Sequence, residues 1–174
     1  MKIGVIADTH GILHPHVTEI FLGVDRIVHA GDIQGKDSRQ AEIILKTLRQ
    51  LAPVDAVRGN YDKKPIPGVM EDPAWIELQG HKVLVTHRMI SFAWEASYTL
   101  IKEMIGRINN PPRIVIFGHT HVPVAQEIEN VFFMNPGYAG PDQYEADYTV
   151  GILNINGNDI TGEIIKLDRI DLAD

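Results

Sequence analysis

Hydrophobic residues in the first third of the chain form short runs, which are separated by segments with helical spacing. The runs at 2–7 and 25–32 are typical of strands buried on both faces of a sheet, and 54–60 resembles a third. Pro15 can begin a helix after the first run, and the Asp-Ser pair at 37–38 can cap another after the second run. We therefore predict a βαβαβ order for this part of the chain.

The rest of the chain has shorter hydrophobic runs and more turn residues. A turn at Gly80 predicts two strands within 74–87, and 113–119 predicts a further buried strand. Apolar residues at helical spacing predict a helix near 92–108, which the prolines at 111–112 would end. The remaining short strands are predicted near 123–128, 131–134, 147–154 and 159–167. We expect mainly antiparallel pairing in this part.

The absence of cysteine limits the chemistry of any bound metal. With no cysteine among 174 residues, disulfides and thiolate ligands are excluded, so a metal must be held by nitrogen and oxygen. The chain shows no repeat, low-complexity tract or evident linker. We therefore predict one domain over residues 1–174.

Charge and hydropathy narrow the classes of function further. Acidic residues outnumber basic ones, 23 to 16, for a net charge of −7, and no basic patch is visible. Because phosphate contacts dominate nucleic-acid binding, we expect no nucleic-acid partner. No apolar run reaches the roughly 18 residues of a membrane span, and the start does not look like a signal peptide. We therefore expect a cytoplasmic protein with no membrane-spanning segment.

Polar side chains follow five of the predicted strands. They are Asp8 with His10, then Asp32, Asn60 and His87, and finally His119 with His121. In an open α/β sheet, groups at the carboxyl ends of strands gather in one crevice, so these residues are expected to converge. Residues two apart in extended chain point to the same side, which lets each i, i+2 pair reach one centre. The alternative is a set of unrelated strand-end caps, which would leave several buried polar groups without partners.

The converging set contains two carboxylates, one amide oxygen and four imidazoles. Seven ligands are too many for one ion with four to six coordination, whereas two ions about 3.5–4 Å apart would use them all. Asp32 is the natural bridge, because a carboxylate has two oxygens. An imidazole-rich site disfavours Ca²⁺ and Mg²⁺. We expect two divalent ions, with manganese as the first expectation and iron, zinc or nickel as alternatives.

Five motifs at these strand ends carry a family resemblance. D-x-H, GD, GN-x-D, a single His after a strand, and GHTH occur in that order, from Asp8 to the NPG at 135–137. Together they resemble the calcineurin-like metallophosphoesterases, in particular the small single-domain phosphodiesterases of bacteria and archaea. The set is also similar to the retromer subunit built on the same fold. The resemblance implies an α/β fold in which two mixed β-sheets, flanked by helices, form a four-layer αββα sandwich.

The resemblance also implies a ligand set and a reaction. It assigns Asp8, His10 and His121 to one metal and Asn60, His87 and His119 to the other, with Asp32 bridging. A hydroxide between the metals would attack the phosphorus of a small phosphoester in line with the leaving group, most simply as a phosphodiesterase. Members of this branch are often dimers or tetramers, so a homo-oligomer is expected.

Three residues depart from the family pattern, and we expect all three near the mouth of the site. Tyr61 stands where many members have His, Arg88 where Gly often occurs, and Tyr138 where Ser is usual. A phenol can donate a hydrogen bond but is a weaker acid than an imidazolium. Arg88 can either clamp a phosphate with its forked donors or simply face solvent. The predicted catalytic residues are Asp32, Asn60, Tyr61 and Arg88.

Several other side chains have two interpretations each. His29 is an extra ligand or a hydrogen-bonded core residue, and His14 and His16 contact substrate or lie in a solvated loop. Asp62 orients a neighbouring group or holds its loop. The aromatic residues Trp75, Phe92, Trp94 and Tyr98 pack in the core or form an exposed patch. At the level of function, the alternatives to a phosphodiesterase are a binding scaffold with little turnover and a nuclease.

Overall fold

The computed structural model describes residues 1–89, 106–107, 109–140 and 147–168. The N-terminal elements are β1 (Lys2–Ile6), α1 (Pro15–Ile20), β2 (Arg26–His29), α2 (Ser38–Arg49) and β3 (Val54–Ala56). They are followed by β4 (Ala74–Leu78), β5 (His81–Thr86), β6 (Ile114–Phe117), β7 (Val124–Ile128), β8 (Val131–Asn135), β9 (Thr149–Asn156) and β10 (Asp159–Lys166). Within these residues the strands form two sheets of five.

The first sheet has the strand order β10-β9-β1-β2-β3. Its centre is the predicted βαβαβ unit, in which β1, β2 and β3 run parallel, while β9 and β10 add antiparallel strands. The prediction of a strand over 54–60 was too long, because β3 ends at Ala56. Val57 makes only an isolated bridge to Met70.

The second sheet has the strand order β4-β5-β6-β8-β7. The hairpins β4–β5 and β7–β8 are antiparallel, as predicted, but β5, β6 and β8 run parallel to one another. The expectation of mainly antiparallel pairing was therefore wrong at the centre of this sheet. The sequence pattern reports that a strand is buried but not which strand lies beside it, and β8 inserts between β6 and β7.

The two sheets pack face to face, and helices cover the outer face of the first sheet. Ile3 and Val5 of β1 point into the layer between the sheets, where they meet Val83 and Ile116. Ile6 points the other way, into the cluster that α1 and α2 form on the sheet. Alternation along a strand explains this, because successive side chains face opposite sides. The two mixed sheets with flanking helices confirm the predicted fold class.

Helix α2 begins where the sequence predicts. Asp37 is its N-cap and accepts a hydrogen bond from the backbone N–H of Arg39. The Gln40 side chain accepts one in return from the N–H of Asp37, which completes a capping box. The helix buries Ala41, Ile44, Leu45 and Leu48 against the sheet.

The outer face of the second sheet carries a third apolar cluster, which includes Val115, Phe117 and Phe133. The helix predicted near 92–108, with Phe92, Trp94 and Tyr98, lies almost entirely outside the described residues. Trp75 is half exposed, and the Lys82 ammonium lies 4.1 Å from its ring centroid, so core packing was the wrong interpretation for it. No helix in the described ranges is long and apolar enough to cross a bilayer.

Candidate metal centre

The loops that follow β1, β2, β5 and β6 meet at one end of the two sheets. In the first sheet, the Asp8 N–H donates to the Gly31 carbonyl at 3.0 Å and the His10 N–H donates to the Asp32 carbonyl at 3.0 Å. A bond between the sheets runs from the His119 N–H to Asp8 Oδ2, also at 3.0 Å. Backbone hydrogen bonds therefore hold the predicted ligand loops against one another.

Five of the seven predicted ligands have a left-handed backbone. The φ angles are 54° for Asp8, 44° for His10, 54° for Asp32, 70° for His119 and 59° for His121. A non-glycine residue in this region costs roughly 1 kcal/mol or more, and such costs concentrate at functional sites. The sharp turns let the side chains leave the strand direction and point into the shared crevice.

Asp8 is the most buried ligand of the first predicted group. Its Oδ2 accepts the His119 N–H, but its Oδ1 is buried without a hydrogen-bond partner in the described part of the chain. This Oδ1 faces His121 Nε2 at 3.4 Å and His10 Nε2 at 4.0 Å. Ligand atoms of Asp8, His10 and His121 all lie within 4.8 Å of one another. A buried carboxylate oxygen without a donor is costly, and a cation would satisfy it.

Asp32 lies between the two predicted metal positions. Its Oδ1 accepts the Tyr61 N–H at 2.7 Å, whereas its Oδ2 faces His87 Nε2 at 3.3 Å and His10 Nε2 at 3.9 Å. Burial raises the pKa of Asp32, but His87 and the Tyr61 N–H outweigh burial, and the net pKa is lowered. Asp32 is therefore an ionised carboxylate whose Oδ2 is directed at imidazoles from both groups.

The second predicted group lies around Asn60. His87 Nε2 is 3.0 Å from Asn60 Oδ1, and the His119 ring centroid is 5.2 Å from that of His87. His87 Nδ1 donates to the Ala30 carbonyl at 2.8 Å, which leaves the Nε2 lone pair of a neutral ring available to a metal. Ligand atoms of Asp8, Asp32 and His87 also lie within 4.8 Å of one another, so the two groups are contiguous.

Two of the predicted imidazole ligands, His10 and His119, have lowered pKa values, which favour the neutral ring that a metal binds. Burial lowers the pKa of His10, and burial together with the charges of His87 and Arg88 lowers the pKa of His119. For His87, burial lowers the pKa, but the contact with Asp32 outweighs burial and the net pKa is raised. Because a metal takes only the neutral ring, His87 would release any bound proton when a metal enters.

Asp62 holds two ligand loops together. It is buried, and its carboxylate accepts the backbone N–H groups of Gln34 at 2.7 Å, Gly59 at 2.7 Å and Ile33 at 3.3 Å. These bonds connect the loop of Asp32 to the loop of Asn60, so the interpretation of Asp62 as a loop-holding residue is the correct one. Gly59 allows the close approach, since a Cβ there would collide with the Asp32 carboxylate.

Tyr61 and Arg88 lie at the open side of the site, as expected, but Tyr138 does not. The half-exposed Tyr61 ring makes an edge contact with His10 at 4.9 Å, and the exposed Arg88 donates from Nε to Asn60 Oδ1 at 3.1 Å. Tyr138 is fully buried, with its ring centroid 4.5 Å from that of His121. Placing Tyr138 at the mouth was wrong. The loop after β8 turns inward and packs this ring against a predicted ligand.

The remaining histidines are structural or exposed. His29 is buried and its Nε2 contacts Thr9 Oγ1 at 3.1 Å, so the core interpretation was correct. Its pKa falls to about 3 because it is buried and close to His87. His14 is also buried, where Nε2 donates to the Asp168 carbonyl at 2.8 Å, so a solvated loop was the wrong interpretation. His16 is exposed, as that interpretation predicts.

Comparison with known proteins places this geometry in a family. Residues 1–158 match the model of the calcineurin-like phosphoesterase superfamily domain. The chain belongs to this superfamily. Its phosphoesterase relatives include a probable metallophosphoesterase of Methanothermobacter thermautotrophicus, which is 32% identical over 173 residues that cover 95% of this chain and 92% of the relative.

A second relative is the phosphodiesterase YfcE of Escherichia coli K12, 26% identical over 190 residues that cover 99% of this chain and 96% of YfcE. Among solved structures, wild-type Vps29 of Entamoeba histolytica in complex with zinc superimposes with a TM-score of 0.64 at 21% identity. The match covers 95% of this chain and 99% of Vps29. The structural likeness supports the fold, and the sequence relatives support phosphoester hydrolysis as the activity of the family.

The donor set fits the divalent metals that this phosphoesterase family implies. It combines two buried carboxylates with imidazoles whose Nε2 atoms point at them, and one carboxylate oxygen has no hydrogen-bond partner among the described residues. Oxygen and imidazole ligands without sulfur suit manganese, iron, zinc or nickel better than calcium. The sequence already pointed to Asp62, because this residue is the last member of the GN-x-D motif.

Proposed function

We propose that this chain is a metal-dependent phosphodiesterase that holds two divalent ions at the carboxyl ends of its parallel strands. Asp8, His10 and His121 would hold one ion. Asn60, His87 and His119 would hold the other, with Asp32 shared. The observation that carries the proposal is the buried Asp8 Oδ1, which has no hydrogen-bond partner in the described ranges and faces two imidazole nitrogens.

The chemistry follows from how the protein places its charges. Two ions at this position would lower the pKa of a water ligand and neutralise charge on phosphoryl oxygens. The shared carboxylate of Asp32 is fixed by the Tyr61 N–H, so it presents one defined oxygen to the centre. Arg88 lies at the solvent side, where its forked donors suit the oxygens of a phosphoester.

Tyr61 defines the kind of substrate that would react best. Its half-exposed ring lies against His10 at the open side of the centre, and we expect its hydroxyl to contact a bound phosphoester. A phenol donates a hydrogen bond but transfers a proton to a leaving group less readily than an imidazolium. We therefore expect small diesters with good leaving groups to be hydrolysed fastest.

Hydrolysis of an activated aryl phosphodiester with added Mn²⁺ tests the proposal. Asp32→Ala removes the shared ligand, and we expect the rate to fall about a hundredfold or more. Asp159→Ala is the matched control, because this exposed carboxylate lies at the start of β10, remote from the ligand loops. Equal rates for the native protein and Asp32→Ala would contradict the proposal.

The identity of the metal and the class of ester need separate measurements. Metal analysis of protein purified without chelator would distinguish manganese from iron, zinc and nickel. A panel of phosphomonoesters and diesters would then show which class is preferred. The cytoplasmic location and the homo-oligomer, dimer or tetramer, stay predictions, the second of which light scattering checks directly.

A binding scaffold with little turnover is the main alternative. The substitution of Tyr61 for the usual His favours it, because the site then lacks a strong proton donor. A tight stoichiometric partner, together with no metal-dependent hydrolysis, would bring this alternative forward. A nuclease is the other alternative, and activity on a small diester with none on DNA would dismiss it.

A further inference from the structure

Arg88 contacts the second predicted metal group directly. Its Nε donates to Asn60 Oδ1 at 3.1 Å, and this is the same oxygen that faces His87 Nε2 at 3.0 Å. A cation of the protein itself therefore lies among the ligands that a second metal ion would use.

The two groups differ strongly in the charge that they offer an ion. The first contains the buried carboxylate of Asp8 and shares that of Asp32. The second shares Asp32 but otherwise has only the neutral amide of Asn60 and imidazoles. The first group therefore has one carboxylate more than the second, and the positive charge of Arg88 lies beside the second group.

We infer that Arg88 makes the second metal position much weaker than the first, so that the centre fills in two separate steps. This inference rests on the proposed two-ion centre and extends it to the order of loading. A second ion at Asn60 Oδ1 would lie next to the positively charged guanidinium that already donates to this oxygen. The guanidinium is exposed, and in the described part of the chain its bond to Asn60 holds it near the centre, so it is also available to an anionic ligand.

Titration of metal-free protein with Mn²⁺ tests the inference, with free Mn²⁺ counted by its electron paramagnetic resonance signal. This readout measures occupancy and does not depend on turnover. For the native protein we expect one tight and one weak binding step. Arg88→Gln should tighten the second step about tenfold or more and leave the first unchanged, because it removes a like charge next to the ion.

Matched variants separate charge from other effects. Arg88→Lys keeps the positive charge and should retain the weak second step. Lys2→Gln removes the same charge from an exposed side chain at the opposite end of β1, and should leave both steps as in the native protein. Asn60→Ala should abolish the second step alone. Thermal melts of the Arg88 variants, whose side chain is exposed, check that they fold.

The outcomes distinguish this inference from the proposed function. Two equally tight steps in the native protein, or an unchanged second step in Arg88→Gln, would overturn the inference. If neither the native protein nor any variant shows a second binding step, the inference and the two-ion centre are both overturned. The expected binding pattern in a protein that hydrolyses no phosphoester would support the inference and contradict only the proposed activity.

Discussion

The burial of His29 predicts a specific loss of stability in mild acid. Its pKa is lowered from 6.5 to about 3 in the folded protein by burial. The unfolded chain therefore binds more protons than the folded chain between these two values. The contribution of His29 to stability is fully present above the pKa of this ring in the unfolded chain. It is lost as the pH falls through 6.5 toward 3.

The size of the effect follows from the same shift. Between about pH 7.5 and pH 5, a group with these two pKa values lowers the free energy of unfolding by about 2 kcal/mol. His29→Gln keeps a side-chain donor for Thr9 but cannot titrate, so its stability should depend less on pH by about this amount. The ring is fully buried, so solvent screens the effect little.

Urea unfolding at several pH values, with chelator present, measures how the free energy of unfolding depends on pH in the native protein and in His29→Gln. His16→Gln is the matched control, because it makes the same substitution at an exposed ring outside the core. Histidine NMR of the native protein should show His29 as a neutral ring near pH 5. A native protein and a His29→Gln variant with parallel stability curves would refute the reasoning.

Three further predictions concern the loops that carry the ligands. Gly59→Ala should weaken Mn²⁺ binding in a folded protein, since a Cβ there meets the Asp32 carboxylate; metal stoichiometry checks this. Asp62→Ala should lower the free energy of unfolding by about 3 kcal/mol, because it leaves backbone N–H groups without an acceptor, and Asp62→Asn should cost less. Mn²⁺ at about a hundredfold excess over its dissociation constant should stabilise the native protein by about 2.7 kcal/mol, but Asp8→Asn far less, as thermal melts would show.

Much of the fold could be predicted from the sequence because burial leaves a periodic trace. Continuous apolar runs identified β1, β2 and β6, and the Asp-Ser pair at 37–38 marked the start of α2. The parallel arrangement of β6 and β8 could not be predicted, since both strands would show the same apolar run in either orientation. The close approach of Gly59 to Asp32, just after the short β3, could not be predicted either, since it is a contact between distant segments.

The candidate site was predictable to the extent that its residues occur in motifs at strand ends. The tertiary structure decided what surrounds them. Tyr138 was expected at the mouth but is buried against His121, and His14 was expected in solvent but is buried beside the Asp168 carbonyl. In both cases the partner lies far along the chain or on another element, so the local sequence carries no sign of it.

The sequence alone determined which chemical groups this protein can use: oxygen and imidazole ligands, no thiolate, and a net negative charge. It also determined that these groups follow strands, because strand burial and strand ends are local properties. Only the tertiary structure decided that Asp8 Oδ1 is buried with no hydrogen-bond partner among the described residues. It also decided that Arg88 donates a hydrogen bond to Asn60. Such contacts depend on how two sheets pack, and packing is set by the sum of many side chains rather than by any one segment.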